Sequence, residues 1–314
     1  VAAAGTPAVG VITTTNASSA LAYAYSGTRD LGSQSSSATS LATGVSVQSQ
    51  GAGLVAASLQ QLYKGLSAQP VTNLPTGVTS SVIVACAGGG TVSATVSEAV
   101  SGMVSNGDSI SLVANNCAEN AEVLNGGVSF GFSNLSGTLG ATTAWSGTLS
   151  INFSNFSVQS GGQTLAANGD MALGYNQAGY QVATATVSGS SLQINLTKSD
   201  GAAVARRMTA YNLSESVNST AYALSANYTL TGTSSNLGAV LSNVNFTVKT
   251  NAPFQGSGST DPSTGSFTVI APDRSSATLT AIDSTNIRID IDSNGDGVTD
   301  QTINSTWADL KSRI

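Results

Sequence analysis

The sequence predicts a mostly β protein: a large antiparallel β-sandwich or an open, barrel-like sheet, with one or two short helices near the N-terminus. Three observations carry this expectation. Apolar residues alternate with polar ones at period two over most of the chain, the mark of strands with one dry and one wet face. Glycine-rich turn signals recur between the alternating runs, as "SNGD" at 105–108, "NGG" at 125–127, "SGG" at 160–162, "ANGD" at 167–170 and "SNGDG" at 293–297. Charged residues make up only 8% while apolar ones reach 40%, the rest being mostly Ser, Thr, Asn and Gly. A disordered chain shows the opposite balance.

Residues 1–77 read as an N-terminal arm. In "ITTTNASSALAYAY" Asn16 is placed to cap a helix over Ala17–Tyr25, although Leu21–Tyr25 also alternates as a strand would. "SGTRDLGSQSSSATSLATG" has the composition of a linker. A second helix is expected in "GLVAASLQQLYKGLS", where Val55, Leu59, Leu62 and Leu66 share one face. Residues 78–314 read as an antiparallel β domain ending in an acidic hairpin. "SLQINLT" aligns Leu192, Ile194 and Leu196; "AYALSANYTL" aligns Tyr222, Leu224, Ala226, Tyr228 and Leu230; "SNVNFTVKT" aligns Val244, Phe246 and Val248; "NIRIDID" aligns Ile287, Ile289 and Ile291. The apolar register slips between Phe153 and Phe156, which predicts a β-bulge at Ser154–Asn155. Aromatic residues are only 5%, too few for the girdles of an outer-membrane barrel.

Composition also excludes functions. There is no His, so the commonest general base and metal ligand and the usual nucleophile triads are missing. Ten scattered Lys and Arg against sixteen acids leave no basic footprint for nucleic acid. The acids Glu98, Asp108, Glu119, Glu122 and Asp170 carry no motif, no S-x-x-K occurs, and "ACAGGGT" lacks the lysine of a phosphate loop. The chain is therefore not expected to be an enzyme, and no apolar run is long enough for a transmembrane helix.

Four features remain as candidate sites. Asp292, Asn294, Asp296 and Asp300 fall at positions 1, 3, 5 and 9 of a calcium-type loop, "DSNGDGVTD", but position 12 is Ile303 and the flanks are strands. Two readings stay open: a hairpin loop that holds calcium, the only cofactor considered, or a turn that uses Asn, Asp and Gly for their backbone tolerance. Cys86 and Cys117 are either a disulfide of an oxidising compartment or two buried thiols. Ala8, Val9, Val11, Ile12 and Thr13 form an extended segment able to add to a neighbour's sheet, or to serve as a first strand of its own domain. Trp145 is the better candidate for a sugar platform, since Trp307, Leu310 and Ile314 fall at the spacing of a short terminal helix.

The chain opens at Val1 without Met, which fits a precursor whose signal peptide has been removed. "CAGGGTVSATV" with "SNGDSISLVANNC" and "LNGGVSF", the closing "DIDSNGDGVTD" with "STWADL", and "ITTTNASSALAYAY" together resemble a loose group of exported, two-cysteine β-rich proteins of Gram-negative bacteria. That resemblance implies export and an extracellular or cell-surface life, and it transfers no catalytic residue. The expected function is a secreted structural subunit that self-assembles into a filament or layer, with itself as partner. The alternative is a calcium-stabilised adhesive module with a glycan as partner.

Overall fold

The computed structural model describes residues 10–42, 79–98, 105–119, 121–137, 143–179, 182–234, 243–258 and 260–313. Its fourteen strands form an antiparallel sheet in which strand order is sequence order. The fold is thus mostly β and built as a meander. Contacts divide the chain into two compact units, residues 31–201 and residues 1–30 with 202–314. The boundary expected at 77/78 lies outside the described residues; the start of the N-terminal arm is core to the second of these units.

The first unit holds β1 (Thr79–Ala85), β2 (Thr91–Ser97), β3 (Ser109–Glu119), β4 (Glu122–Gly137), β5 (Trp145–Ser160), β6 (Gln163–Gly179) and β7 (Val182–Thr197). Register aligns one apolar row as Ala94, Leu112, Val128 and Phe153, and another as Phe130, Ile151 and Met171. Phe130, Ile151, Phe153 and Met171 are all buried. The opposite face of β5 presents Ser150, Asn152, Ser154 and Asn155, a surface suited to water rather than hydrocarbon.

The expected bulge is present. Pairing of β5 with β6 shifts between Phe153 and Phe156, and Asn155 has φ 48°. Two of the five turn signals are corrected. "NGG" at 125–127 lies inside β4 and "ANGD" at 167–170 inside β6, and pairing shifts register beside each. The same backbone tolerance that lets Asn-Gly close a hairpin lets it sit opposite a bulge. The other three signals do stand at turns or loops.

Cys86 and Cys117 form a disulfide, with Cα atoms 5.4 Å apart. The bridge ties the β1–β2 hairpin to β3, alongside hydrogen bonds from Gly88 N to Ala118 O and from Ala118 N to Gly89 O. It closes a loop with a sequence separation of 31 residues. Replacing both cysteines by Ser is expected to lower stability by about 3–4 kcal/mol. Denaturant midpoints of the oxidised protein and the Cys86→Ser/Cys117→Ser variant test this.

The second unit holds β8 (Ala203–Asn218), β9 (Ala221–Ser234), β10 (Val244–Ser257), β11 (Thr264–Ile270), β12 (Ser276–Ala281), β13 (Asn286–Asp292), β14 (Gln301–Thr306) and α2 (Trp307–Lys311). Its apolar rows run Tyr228–Val248–Val269–Ala277–Ile291 and Phe267–Leu279–Ile289–Ile303. Against this interior lies the first half of α1 (Ala17–Ala42). The helix expected at Ala17–Tyr25 is therefore present, and the strand alternative at Leu21–Tyr25 is not. The helix also continues through most of the stretch expected as a linker.

Burial explains the helix. Ala17, Ala20, Leu21, Ala22, Tyr23, Ala24, Tyr25, Ser26 and Thr28 are all buried, so Ala20–Thr28 is enclosed on every side. A one-sided sheet cannot bury consecutive residues this way, whereas a helix inside a core can. Tertiary packing here outweighs the poor helix propensity of Ser, Thr and Gly. Asn16 departs from a conventional cap. Its backbone carbonyl accepts from Ala20 N, while its side chain turns back to accept from Thr13 N and donate to Val11 O. The helix expected on Val55, Leu59, Leu62 and Leu66 lies outside the described residues.

Candidate functional site

The acidic hairpin between β13 and β14 is a dense set of carboxylate-to-amide hydrogen bonds. Asp292 closes β13 and is buried; its Oδ1 accepts from Gly295 N at 2.7 Å and its Oδ2 from Gly297 N at 2.8 Å. Asn294 Oδ1 accepts from Asp296 N, and Asp296 Oδ1 accepts from Val298 N. Asp300 Oδ2 accepts from Ser293 N at 2.8 Å and from Ser293 Oγ at 2.6 Å. Those bonds, the Ser293 hydroxyl first, hold the Asp300 carboxyl below the usual carboxylate range. Asp290 accepts from Arg288 Nε and Thr302 Oγ1. Gly295 and Gly297 take φ of 75° and 85°, which lets the loop bend around the Asp292 carboxylate.

This arrangement offsets the mutual repulsion of Asp290, Asp292, Asp296 and Asp300, which fall within eleven residues of one another. The loop's own amides supply positive dipoles that an ion would otherwise provide. Among the described residues no group of three or more His, Cys, Asp or Glu is gathered to hold a metal. Because the loop's own amides already take the carboxylate oxygens, the melting temperature is expected to be the same in calcium and in chelator. A rise of several degrees on adding calcium would instead assign Asp292, Asn294, Asp296 and Asp300 to a cation.

The N-terminal segment is held within its own unit. Ala8 and Val9 lie outside the described residues. Val11, Ile12 and Thr13 are irregular chain, not strand. Ile12 is wholly buried and its N–H donates to Ser275 Oγ at 2.8 Å; that hydroxyl in turn donates to Asp273 Oδ1. At Gly10, φ 80°, an added Cβ would stand 3.3 Å from Asn245 N and 3.5 Å from the Phe246 ring.

Both tryptophans are buried. Trp145 is 5% exposed and packs on Tyr175 with ring centroids 4.7 Å apart, so the expectation of a sugar platform is corrected: the ring is spent on the core. The alternation of "TTAWSG" could not reveal which face Trp145 takes. Trp307 opens α2, packs on Tyr25 and Phe254, and donates from Nε1 to Pro262 O. Leu310 is buried beside it on the helical spacing, and Ile314 lies outside the described residues.

Two of the unassigned acids, Asp108 and Asp170, act as structural acceptors. Asp108 accepts from Ser105 N and Oγ in its turn. Asp170 accepts from Ser190 N and Oγ and from Ser191 N, joining β6 to β7 beside a register shift. Burial alone would raise the Asp170 carboxyl, but these bonds outweigh it and bring it down.

One cluster escaped sequence reasoning. Arg206 on β8 is buried, pairs through Nη1 with Asp30 on α1, and lies over the Tyr23 ring, 4.7 Å from its centroid. Tyr23 donates to Ala205 O at 2.8 Å, and Tyr228 donates to Ala24 O at 2.6 Å. No period or motif links positions 23, 30, 206 and 228.

The sheet order ends on two strands that each have one strand neighbour among the described residues, β1 beside β2 and β14 beside β13. β1 reads TSSVIVA and β14 reads QTINST. Neither carries a charge or a proline. No protein-family model and no curated protein matches this chain.

Proposed function

We propose that this chain is an exported structural subunit that self-associates into an extracellular filament or layer, with β14 of one copy pairing to β1 of the next. The observation that carries this reading is the pair of sheet ends, each with one strand neighbour among the described residues. Proteins that stay monomeric blunt such edges with Lys, Pro or bulges, and β1 and β14 have none of these. The contact is also chemically continuous. Val82 and Val84 alternate with Ser81, Ile83 and Ala85 along β1, and Ile303 ends the apolar row that runs through Phe267, Leu279 and Ile289. An edge-to-edge joint between unlike strands need not close on itself, so it propagates.

Export is supported by the disulfide, which persists in oxidising compartments. No described helix is long and apolar enough to cross a membrane. Strand donation by Ala8–Thr13 is a different joint, and Ile12 would have to leave its buried site to make it. A glycan-binding role is less well supported, because both tryptophans lie in the core.

Negative-stain microscopy and light scattering of the full chain test the reading. Filaments or large oligomers are expected. The substitutions Gln301→Lys/Asn304→Lys, at two exposed positions of β14, should abolish them while leaving the melting temperature within a few degrees. A wild-type protein that stays a monodisperse monomer at high concentration would overturn it.

A further inference from the structure

The unit built on β8–β14 takes its core from a piece of chain remote in sequence. Residues 10–30 are separated from β8, at Ala203, by the other compact unit. Leu21, Tyr23 and Tyr25 are buried, and Tyr25 packs on Phe254, Phe267 and Trp307. Polar anchors fix the segment at defined points: Ile12 N to Ser275, Tyr23 to Ala205, Tyr228 to Ala24, and Asp30 to Arg206. The fit is close as well as apolar. A Cβ on Gly232 would fall 2.5 Å from the Tyr23 hydroxyl, and one on Gly27 3.2 Å from the Tyr228 hydroxyl.

A short helix buried on every side from Ala20 to Thr28 has no stable life of its own in water, and the interior it fills is left open without it. No covalent bond near the site ties the two together. The best partner for a displaced segment 10–30 is the same interior on another copy, where each of these contacts is reproduced.

We propose that residues 10–30 are an exchangeable core segment, which fills the β8–β14 unit of its own chain in the monomer and that of a neighbouring copy in the assembled state. The proposal rests on the self-association argued above and specifies a second, non-covalent link between copies. It differs from strand addition, because the donated element is a helix entering a core rather than a strand extending an edge.

The Asp30–Arg206 pair provides the test in the full chain. Asp30→Arg places two arginines together in one chain, and Arg206→Asp places two aspartates together. When the two variants are mixed, unfolded and refolded, exchange in either direction restores an Arg–Asp pair. Each variant alone is expected to lose at least tenfold in assembled material, and the mixture to recover most of it. The Asp30→Arg/Arg206→Asp double variant, which can pair within one chain, is the control for folding.

No recovery in the mixture while the double variant assembles would overturn exchange and leave edge pairing intact. Wild-type protein that never assembles would overturn both proposals. Should the double variant not fold, Ile12→Cys/Ser275→Cys in the full chain decides the matter. Disulfide-linked multimers on a non-reducing denaturing gel support exchange, and assembled protein that runs wholly as monomer refutes it.

Discussion

Between pH 10 and 12 the protein is expected to lose stability by roughly 4 kcal/mol per pH unit, three protons at about 1.4 kcal/mol each. The three are the phenolic protons of Tyr23, Tyr25 and Tyr228, whose side chains are 2%, 6% and 3% exposed. Burial pushes the Tyr23 phenol up to about 12, and pushes Tyr25 and Tyr228 further in the same direction. In the unfolded chain each ionises near pH 10. A group whose folded value is raised contributes stability in full below its unfolded value. That contribution falls as pH rises toward the folded value, so the window opens at pH 10. Absorbance at 295 nm and circular dichroism should show at least three of the eight tyrosines ionising only as the sheet signal is lost. Tyr23→Phe should cut the slope by about a third. Prompt ionisation of all eight with the fold intact would contradict the buried-helix core.

The chemistry behind that expectation is the way α1 is satisfied inside the sheet. Tyr23 donates to a strand carbonyl and Tyr228 to a helix carbonyl. A phenolate would lose its donor proton and turn negative charge onto a carbonyl oxygen, in a place water does not reach. Arg206 above the Tyr23 ring favours the phenolate, but burial is the larger effect. The aromatic cluster of Tyr25, Phe254, Phe267 and Trp307 offers no compensating charge within the rings themselves.

What the sequence made legible follows the range of its signals. Period-two alternation depends only on neighbours along the chain, so Leu192–Leu196, Val244–Val248 and Ile287–Ile291 were readable as strands. The bulge at Asn155 was readable because a register slip shows in the strand itself. The length of α1 was not readable. Ser, Gly and Thr after Tyr25 carry a linker composition, and the first turns of that stretch are helical beside a sheet some 170 or more residues downstream. The Asp30–Arg206–Tyr23 cluster and the burial of Trp145 are likewise products of tertiary packing. The acidic hairpin lies between these cases: its oxygen donors were plain, but their commitment to the loop's own amides appears only in three dimensions.

The Asn-Gly dipeptides make the same point with a measurable consequence. Gly107 stands in a turn with φ 94°, and a Cβ built on it meets nothing within 4 Å. Gly126 has a similar φ of 83°, but its Cβ would lie 2.0 Å from Asn155 O and 2.8 Å from Phe156 N, the bulge of the neighbouring strand. Its predecessor Asn125 accepts from Asn116 N at 2.8 Å, satisfying a residue that itself sits at φ 46°. Gly107→Ala should cost about 1–2 kcal/mol, the left-handed strain alone. Gly126→Ala adds a backbone clash that neither β4 nor β5 can relieve without giving up ladder bonds, so the total should reach roughly 3–5 kcal/mol. Denaturant midpoints of the two variants measure the difference directly. Equal losses would mean that the bulge yields at little cost, and that Gly126 serves only the backbone angle a hairpin turn also needs.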